Sequence, residues 1–196
     1  MWKNHIIRLY VNIMLYNHSE IKKIYKSDYQ ISKAIEDGNL FKLDKGIYSD
    51  KEIINPLIIY SKKYPSAIAT MDTAFYYYDL TDVIPQKLFF ATPSNYRKIS
   101  NDMIYQIYVP NDILNQGKIE FDINGEKVNM YDKERLLVEL IRKRKQIPFD
   151  YYKEIISNYR KISDDLDMYK IDEYLSLYKN DVILSDVLMR EVFWWI

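Results

Sequence analysis

The sequence predicts an α+β protein made of two parts. In the first part, a helical pattern ends at Gly38 and two short strands follow around Asp44-Lys45-Gly46. In the second part, apolar runs of strand length and an Asn124-Gly125 turn alternate with amphipathic helices. We therefore predict a small N-terminal domain, residues 1–55, and a mixed α/β domain with C-terminal helices, residues 56–196.

Composition restricts the classes of function. Hydrophobic residues make up 48% of the 196 residues and charged residues 29%, which suits a folded core. The net charge of zero argues against a protein that coats nucleic acid indiscriminately, although it allows a local basic surface. Cysteine is absent, which excludes disulfides and thiolate metal sites. The chain has no apolar run of membrane-spanning length and no signal-peptide pattern, so we expect a cytoplasmic protein without membrane partners.

Two helices are predicted before the central motif. Lys3–Tyr16 has apolar residues at helical spacing, which favours a first amphipathic helix. Ser19 is the predicted N-cap of a second helix, with Glu20 near the positive end of the helix dipole. Ile21 and Ile24 are expected on its inner face.

The third helix is predicted to start at Asp28. Ser27 and Gln30 have the spacing of a capping box, and Gly38 can take the left-handed conformation that follows a helix C-terminus. The buried stripe would comprise Ile31, Ala34 and Ile35. Strands at Leu40–Leu43 and Ile47–Tyr48 would then form a small hairpin.

Three helices followed by a small hairpin make a winged helix-turn-helix, in which the third helix enters the major groove of DNA. The residues predicted to read bases are Tyr29, Gln30, Ser32 and Lys33. On the hairpin, Lys42 and Lys45 are predicted to contact phosphates. The alternative is a small helical domain whose third helix contacts another protein.

The second part contains further helices and strands in alternation. Pro56 suits the first turn of a helix, and Ser66 is a predicted N-cap for a helix that ends near Asp79. Asp132 is the predicted N-cap of the helix after the hairpin. The predicted strands are 88–92, 104–109, 118–123 and 126–130, and the last three helices are 150–160, 168–178 and 182–194.

Several short motifs occur in an order that resembles the AbiEi family of antitoxins. They are Lys45-Gly46-Ile47-Tyr48, Ser66-Ala67, Tyr78-Asp79-Leu80-Thr81, Pro85 and the segment Tyr131–Arg144. The resemblance covers most of residues 19–180. The sequence departs from the family in its first helix, where the "start helix, glycine, threonine" signal of many relatives is absent between Met1 and His18.

The resemblance implies a transcriptional regulator that acts as the antitoxin of a type IV, abortive-infection system in phage defence. Such a protein binds inverted repeats in promoter DNA upstream of its own operon and represses that operon. It counteracts a nucleotidyltransferase-type toxin encoded beside it, without a stable complex. The alternative is a stand-alone winged-helix regulator whose second domain binds an effector or mediates assembly. A toxin gene directly downstream would distinguish the two.

We expect no enzymatic activity and no cofactor or metal. His5 and His18 have no second ligand at metal spacing, and the glycines form no phosphate-binding loop. The rival reading is a metal-dependent nuclease built on charged residues of the later hairpin, namely Glu120, Asp122, Glu126 and Lys127. Exposed strand faces alternate charge for solubility in any case, so we do not expect metal-dependent hydrolysis.

Basic residues form a second candidate site near a helix end. Arg142, Lys143, Arg144 and Lys145 are consecutive, and Arg135 precedes them in the same helix. Cations at a helix C-terminus stabilise the helix through its dipole. The alternative is a patch that contacts nucleic acid or carries the antitoxin activity.

Overall fold

The structure, a computed structural model, describes residues 14–193 and has the predicted mixed α+β class, with two β-sheets. The strands are β1 (Leu15–Asn17), β2 (Phe41–Asp44), β3 (Ile47–Ser49), β4 (Ile68–Ala69), β5 (Leu88–Pro93), β6 (Ile104–Val109), β7 (Lys118–Ile123) and β8 (Glu126–Tyr131). The helices are α1 (His18–Ile24), α2 (Asp28–Glu36), α3 (Pro56–Lys63), α4 (Met71–Tyr77), α5 (Lys133–Lys143), α6 (Phe149–Lys161), α7 (Met168–Ser176) and α8 (Asp181–Leu188).

The chain divides into two compact units. Unit 1 is the described part of Met1–Ser66 together with Glu120–Asn129. Unit 2 is Ala67–Ile119 and the described part of Met130–Ile196. The assignment of separate functions to residues 1–55 and 56–196 stays a prediction. No helix within residues 14–193 combines the length and the apolar character that crossing a membrane requires.

Unit 1 contains a three-stranded antiparallel sheet in the order β1-β3-β2, with α1 and α2 between the first two strands in the chain. One cluster of side chains from the helices and the hairpin forms its core, comprising Ile21, Ile31, Ala34, Leu40 and Tyr48. α3 begins with Pro56 at its first position, as predicted, and contacts β1 and β3.

The N-cap of α1 differs from the prediction. Ser19 does not cap α1; the Asn17 side chain accepts from the Glu20 N–H at 2.9 Å, and Glu20 Oε2 accepts from the Asn17 N–H at 2.8 Å. This reciprocal pair is a full capping box. The second half of α1 also turns outward, since Ile24 is 54% exposed and lies outside the core in which it was expected.

The predicted first helix over Lys3–Tyr16 is wrong at its C-terminal end. Leu15–Asn17 forms β1, which pairs with β3 in the register Leu15↔Ser49. Residues 3–13 of that prediction lie outside the described residues. Local periodicity favoured a helix because the strand that pairs with β1 is about thirty residues away and leaves no local signal.

The five-stranded sheet has the order β6-β5-β4-β8-β7. β4 occupies its centre, antiparallel to β5 and parallel to β8, although it is only two residues long. The predicted helix from Ser66 is therefore wrong over its first turn, and α4 starts at Met71 after Thr70. An apolar run this short suits either a strand or a buried helix, and sheet pairing decides the outcome.

The helices of unit 2 after β8 follow the sequence prediction closely. The Asp132 side chain caps α5 by accepting from the Arg135 N–H at 2.8 Å. α5 is buried along almost its whole length and packs against α4, α7 and α8. After α8, a π-helical turn continues through Met189–Phe193. The helices predicted over 150–160, 168–178 and 182–194 correspond to α6, α7 and α8 with this turn.

Candidate nucleic-acid interface

α2 has one buried and one exposed face. Ile31 and Ala34 point into the core of unit 1. The residues predicted to read bases, Tyr29, Gln30, Ser32 and Lys33, are all exposed, and Tyr29 is 76% exposed. The helix thus offers an aromatic ring, an amide, a hydroxyl and an ammonium group to solvent.

The start of α2 leaves the Gln30 side chain available. Ser27 Oγ accepts from the Gln30 backbone N–H at 3.2 Å, so the cap uses the main chain of Gln30. Among residues 14–193, no bond returns from the Gln30 side chain to complete the predicted capping box. The Gln30 side chain is therefore not held by the cap of α2.

The hairpin of β2 and β3 presents its lysines to solvent. Gly46 has φ +77°, as the turn requires, and Lys42 and Lys45 are exposed. Asp44 is paired instead with Lys63 of α3 at 2.6 Å. Burial opposes the charge of Lys63, but the hydrogen bond and charge of Asp44, together with Tyr64 and Tyr60, outweigh burial and raise the pKa of Lys63. Neither Lys42 nor Lys45 has an ion pair within the described residues.

Arg135, the first member of the predicted basic patch, is in the interior. Its side chain is fully buried, and Nη2 donates to Glu139 Oε1 at 3.2 Å and to the Tyr178 hydroxyl at 2.7 Å. The guanidinium also lies within 5.3–6.0 Å of three tyrosine ring centroids, those of Tyr131, Tyr174 and Tyr178. Arg135 is therefore part of the interior of unit 2 and is not accessible to nucleic acid.

The remaining cations of the patch differ in their bonding partners and in their exposure to solvent. Arg142 is bound to Glu139 by Nη2 at 2.6 Å, and Arg144 Nη1 donates to the Ile141 carbonyl at 2.8 Å. The second contact satisfies a carbonyl of the last helical turn, as the helix-stabilising interpretation expects. Burial, with a contribution from Arg142, lowers the pKa of Lys143. Lys145 is exposed.

A groove of about 440 Å³ adds a fourth cation that the sequence analysis missed. Its basic residues are Arg142, Arg144, Lys145 and Lys179, and its other lining residues are Tyr178, Asn180, Ile183 and Leu184. No acidic residue within residues 14–193 lines it. Lys179 follows α7, far from the others in the chain, so only the packing of α7 and α8 against α5 brings it to them.

The charged residues of the β7–β8 hairpin include an ion pair and a bond to the main chain of the turn. Lys127 Nζ pairs with Glu120 Oε2 at 2.9 Å, and both side chains are about two-thirds exposed. Asp122 accepts from the Gly125 N–H in the turn. Within residues 14–193, no group of three or more His, Cys, Asp or Glu side chains could hold a metal ion. These residues fit the alternative of an exposed strand face.

Comparison with known proteins gives a fold relationship. No family model matches the chain, and no curated protein matches it. Among solved structures, it is similar to the crystal structure of RV2827C protein from Mycobacterium tuberculosis, with a TM-score of 0.68 and 12% sequence identity. The match covers 92% of this chain and 72% of that chain. At this identity, the similarity shows a common α+β fold and nothing about activity.

Proposed function

We propose that the protein is a winged-helix DNA-binding repressor of its own operon and the antitoxin of a nucleotidyltransferase-type toxin. The observation that carries the DNA-binding half is the order of elements in unit 1. A strand, two helices and a hairpin follow one another, and their sheet has the order β1-β3-β2. A winged helix-turn-helix has this order after its first helix, a helix that here would lie outside the described residues.

In this proposal α2 is the recognition helix. Its exposed N-terminal half supplies Tyr29, Gln30, Ser32 and Lys33, whose side chains can bond to base edges in a major groove. Lys42 and Lys45 on the hairpin contact the adjacent phosphates. Their freedom from ion pairs within the described residues supports this role, because no intramolecular partner must be displaced.

The antitoxin half rests on the AbiEi resemblance. Unit 2 offers one surface that fits it, the basic groove formed by Arg142, Arg144, Lys145 and Lys179. A groove with four cations and no acidic residue in its lining attracts phosphate groups or an acidic protein surface. It therefore provides a place for antagonism of the toxin that does not involve α2.

Substitution of Lys42 and Lys45, the two exposed lysines of the β2–β3 hairpin, tests DNA binding. Lys42→Ala with Lys45→Ala should weaken binding to the upstream promoter repeat and reduce the slope of log affinity against log salt by about 0.9 for each lost phosphate contact. Gel shifts over a salt series measure both quantities. The control, Lys153→Ala with Lys161→Ala, changes the net charge equally on exposed positions of α6. Equal salt slopes in the two variants would remove the hairpin from the DNA interface.

Rescue of cells from the toxin, measured together with repression of the operon, tests the antitoxin half. A variant with Arg144→Gln, Lys145→Gln and Lys179→Gln should lose rescue but keep repression. The variant with Lys42→Ala and Lys45→Ala should keep rescue and lose repression. Rescue by the groove variant at the wild-type level would show that the antitoxin surface lies elsewhere. Failure of the wild-type protein to rescue would contradict the antitoxin assignment itself.

A further inference from the structure

A second cleft in unit 2 has a lining that neither DNA binding nor the basic groove uses. It has a volume of about 280 Å³ and is lined by the start of α4, by β5 and β6, and by the segment around the end of α5 and the start of α6. Most of its side chains can recognise a ligand, namely Asp72, Phe89, Tyr105, Lys143, Gln146 and Tyr151. They come from four separate parts of the chain.

The cleft has an aromatic wall. Phe89 and Tyr105 are register partners on the parallel strands β5 and β6, so their side chains project from the same face of the sheet. Their ring centroids are 4.7 Å apart with an interplanar angle of 29°, a stacked arrangement. Tyr105 remains 52% exposed. A planar ligand ring can therefore extend the stack without displacing a protein side chain.

Two opposite charges line the same cleft without pairing. Among the described residues, neither Asp72 nor Lys143 has an ion pair. Burial raises the pKa of the Asp72 carboxyl, and burial together with Arg142 lowers the pKa of Lys143. Each shift reflects a charge that burial partly removes from water, an effect that the Asp72 main-chain N–H and, for Lys143, the charge of Glu139 oppose without cancelling. A ligand with N–H donors at one end and an anionic group at the other would compensate both.

The backbone beside Asp72 is strained. Met71 has φ +45°, in the left-handed region that a residue with a side chain rarely adopts, and its side chain lines the cleft. The neighbouring Thr70 N–H donates to the Phe89 carbonyl at 3.0 Å, which helps to hold this conformation. Strain of this kind is retained where the surrounding structure requires a particular placement, and it is common at ligand sites.

We propose that this cleft binds a single unstacked nucleobase, with the ring against Tyr105, the base edge on Asp72 and the phosphate near Lys143. The volume lies just below the range of about 300–1,000 Å³ typical for drug-sized ligands, so it suits one ring system. Aromatic stacking together with hydrogen bonds to the base edge is how proteins bind unpaired bases. Guanine fits the carboxylate best, because its N1–H and exocyclic amine can both donate to it.

The same base chemistry occurs in free nucleotides and in single-stranded nucleic acid, and calorimetric titration separates these two sources. The full chain carrying Lys42→Ala and Lys45→Ala is titrated with GMP, with UMP and with five-residue oligo-G and oligo-U RNA. GMP and oligo-G should bind more tightly than UMP and oligo-U. Oligo-G tighter than GMP by tenfold or more indicates a single strand as the ligand, whereas equal affinities indicate a free nucleotide. Absence of binding by all four probes would overturn the proposal.

Variants locate the binding within the cleft. Tyr105→Ala should weaken the binding of GMP by about tenfold or more, because one base stacked on an aromatic ring contributes on that scale. Tyr108→Ala is the matched control, since Tyr108 lies on the same strand, is 49% exposed and does not line the cleft. Asp72→Asn should reduce the preference for guanine over uracil while circular dichroism shows an intact fold. An equal loss of affinity in the two tyrosine variants, or an unchanged base preference in Asp72→Asn, would contradict the assignment.

Discussion

α2 and α5 look alike in sequence but differ in what they do with their charges. Both helices begin with a side-chain cap, both have an apolar stripe and both carry cations in the predicted sites. In α2 the polar residues are exposed and Lys33 faces solvent. In α5, Arg135 and Glu139 are buried and bound to each other. A cation in an amphipathic helix therefore does not identify an accessible surface.

The difference follows from how many elements pack on each helix. α2 contributes one stripe to a small core in unit 1. α5 is covered by α4, α7 and α8 of unit 2, so even the polar side of its first two turns is enclosed. Charged groups in such a position persist only when paired and hydrogen-bonded. The tyrosines around Arg135 supply part of that environment.

The largest expected effect is loss of stability when the buried pair is broken. Arg135→Met leaves Glu139 in the interior with Arg142 as its remaining cation, and removal of one partner of a buried pair destabilises by about 3–5 kcal/mol. The matched control is Arg190→Met, which breaks an exposed pair with Asp186 at the same i,i+4 spacing. That pair should contribute about 0.5 kcal/mol or less.

Urea unfolding measures both free energies of unfolding. Equal losses in the two variants would show that the interior position of Arg135 has no energetic consequence. A loss in Arg135→Met alone would support the contrast between the two helices, because the two ion pairs share their chemistry and spacing and differ in burial.

A smaller effect is expected at the glycine that lies against Arg135. Gly117 has φ +77°, and a Cβ there would lie 2.6 Å from Arg135 Cβ. Gly117→Ala should therefore destabilise by about 2–4 kcal/mol, from backbone strain and from the clash with a side chain that cannot move away. Gly125→Ala is the control, since Gly125 has φ +89° with no atom within 4 Å of the added Cβ.

Gly125→Ala should destabilise the protein through backbone strain alone, by about 1–2 kcal/mol. The free energies of unfolding of the two variants, measured side by side, separate strain from packing. If Gly117→Ala were no more destabilising than Gly125→Ala, the region around Arg135 would have to be looser than the structure indicates.

The sequence predicted most elements that carry a local signal. The cap at Ser27, the positive φ at Gly38 and the Asn124-Gly125 turn correctly located α2 and the two hairpins. It missed β1 and β4, which are two or three residues long and depend on partners distant in the chain. Pairing with these distant strands holds β1 and β4 in the extended conformation, and segments this short contain no local pattern that predicts the pairing.

The candidate sites also divide into residues whose placement has a local sequence signal and residues whose placement depends on the tertiary fold. The exposure of the predicted α2 and hairpin residues follows from local amphipathicity, so it could be predicted. The burial of Arg135 could not, because it depends on α7 and α8. Neither could the nucleobase cleft, because Asp72, Tyr105 and Lys143 are brought together only by the tertiary fold. Their separation in the sequence leaves no motif.

The smallest expected effect is on the pH dependence of stability, and it compares one carboxylate from each unit. Burial opposes the ionisation of Glu139, but Arg142, Arg135 and the Tyr178 hydroxyl together outweigh burial and hold the pKa of Glu139 below 4.5. The Asn17 backbone N–H, with Lys62, likewise lowers the pKa of Glu20. A lowered pKa in the folded state means that the unfolded state binds protons first, so stability is complete above pH 4.5 and falls as the pH drops through the folded-state pKa.

Glu139→Gln and Glu20→Gln should each make the loss of stability in acid less steep than in the wild type, since each removes one such group. We expect the larger change for Glu139→Gln, because two arginines act on a carboxylate from which water is excluded, whereas Glu20 and Lys62 are both about one-third exposed and water screens their attraction. Urea unfolding at a series of pH values below 5 gives the slopes. If Glu20→Gln flattened the curve as much as Glu139→Gln, capping bonds at an exposed helix end would stabilise a carboxylate as strongly as buried arginines do, and the contrast between the two units would not extend to their electrostatics.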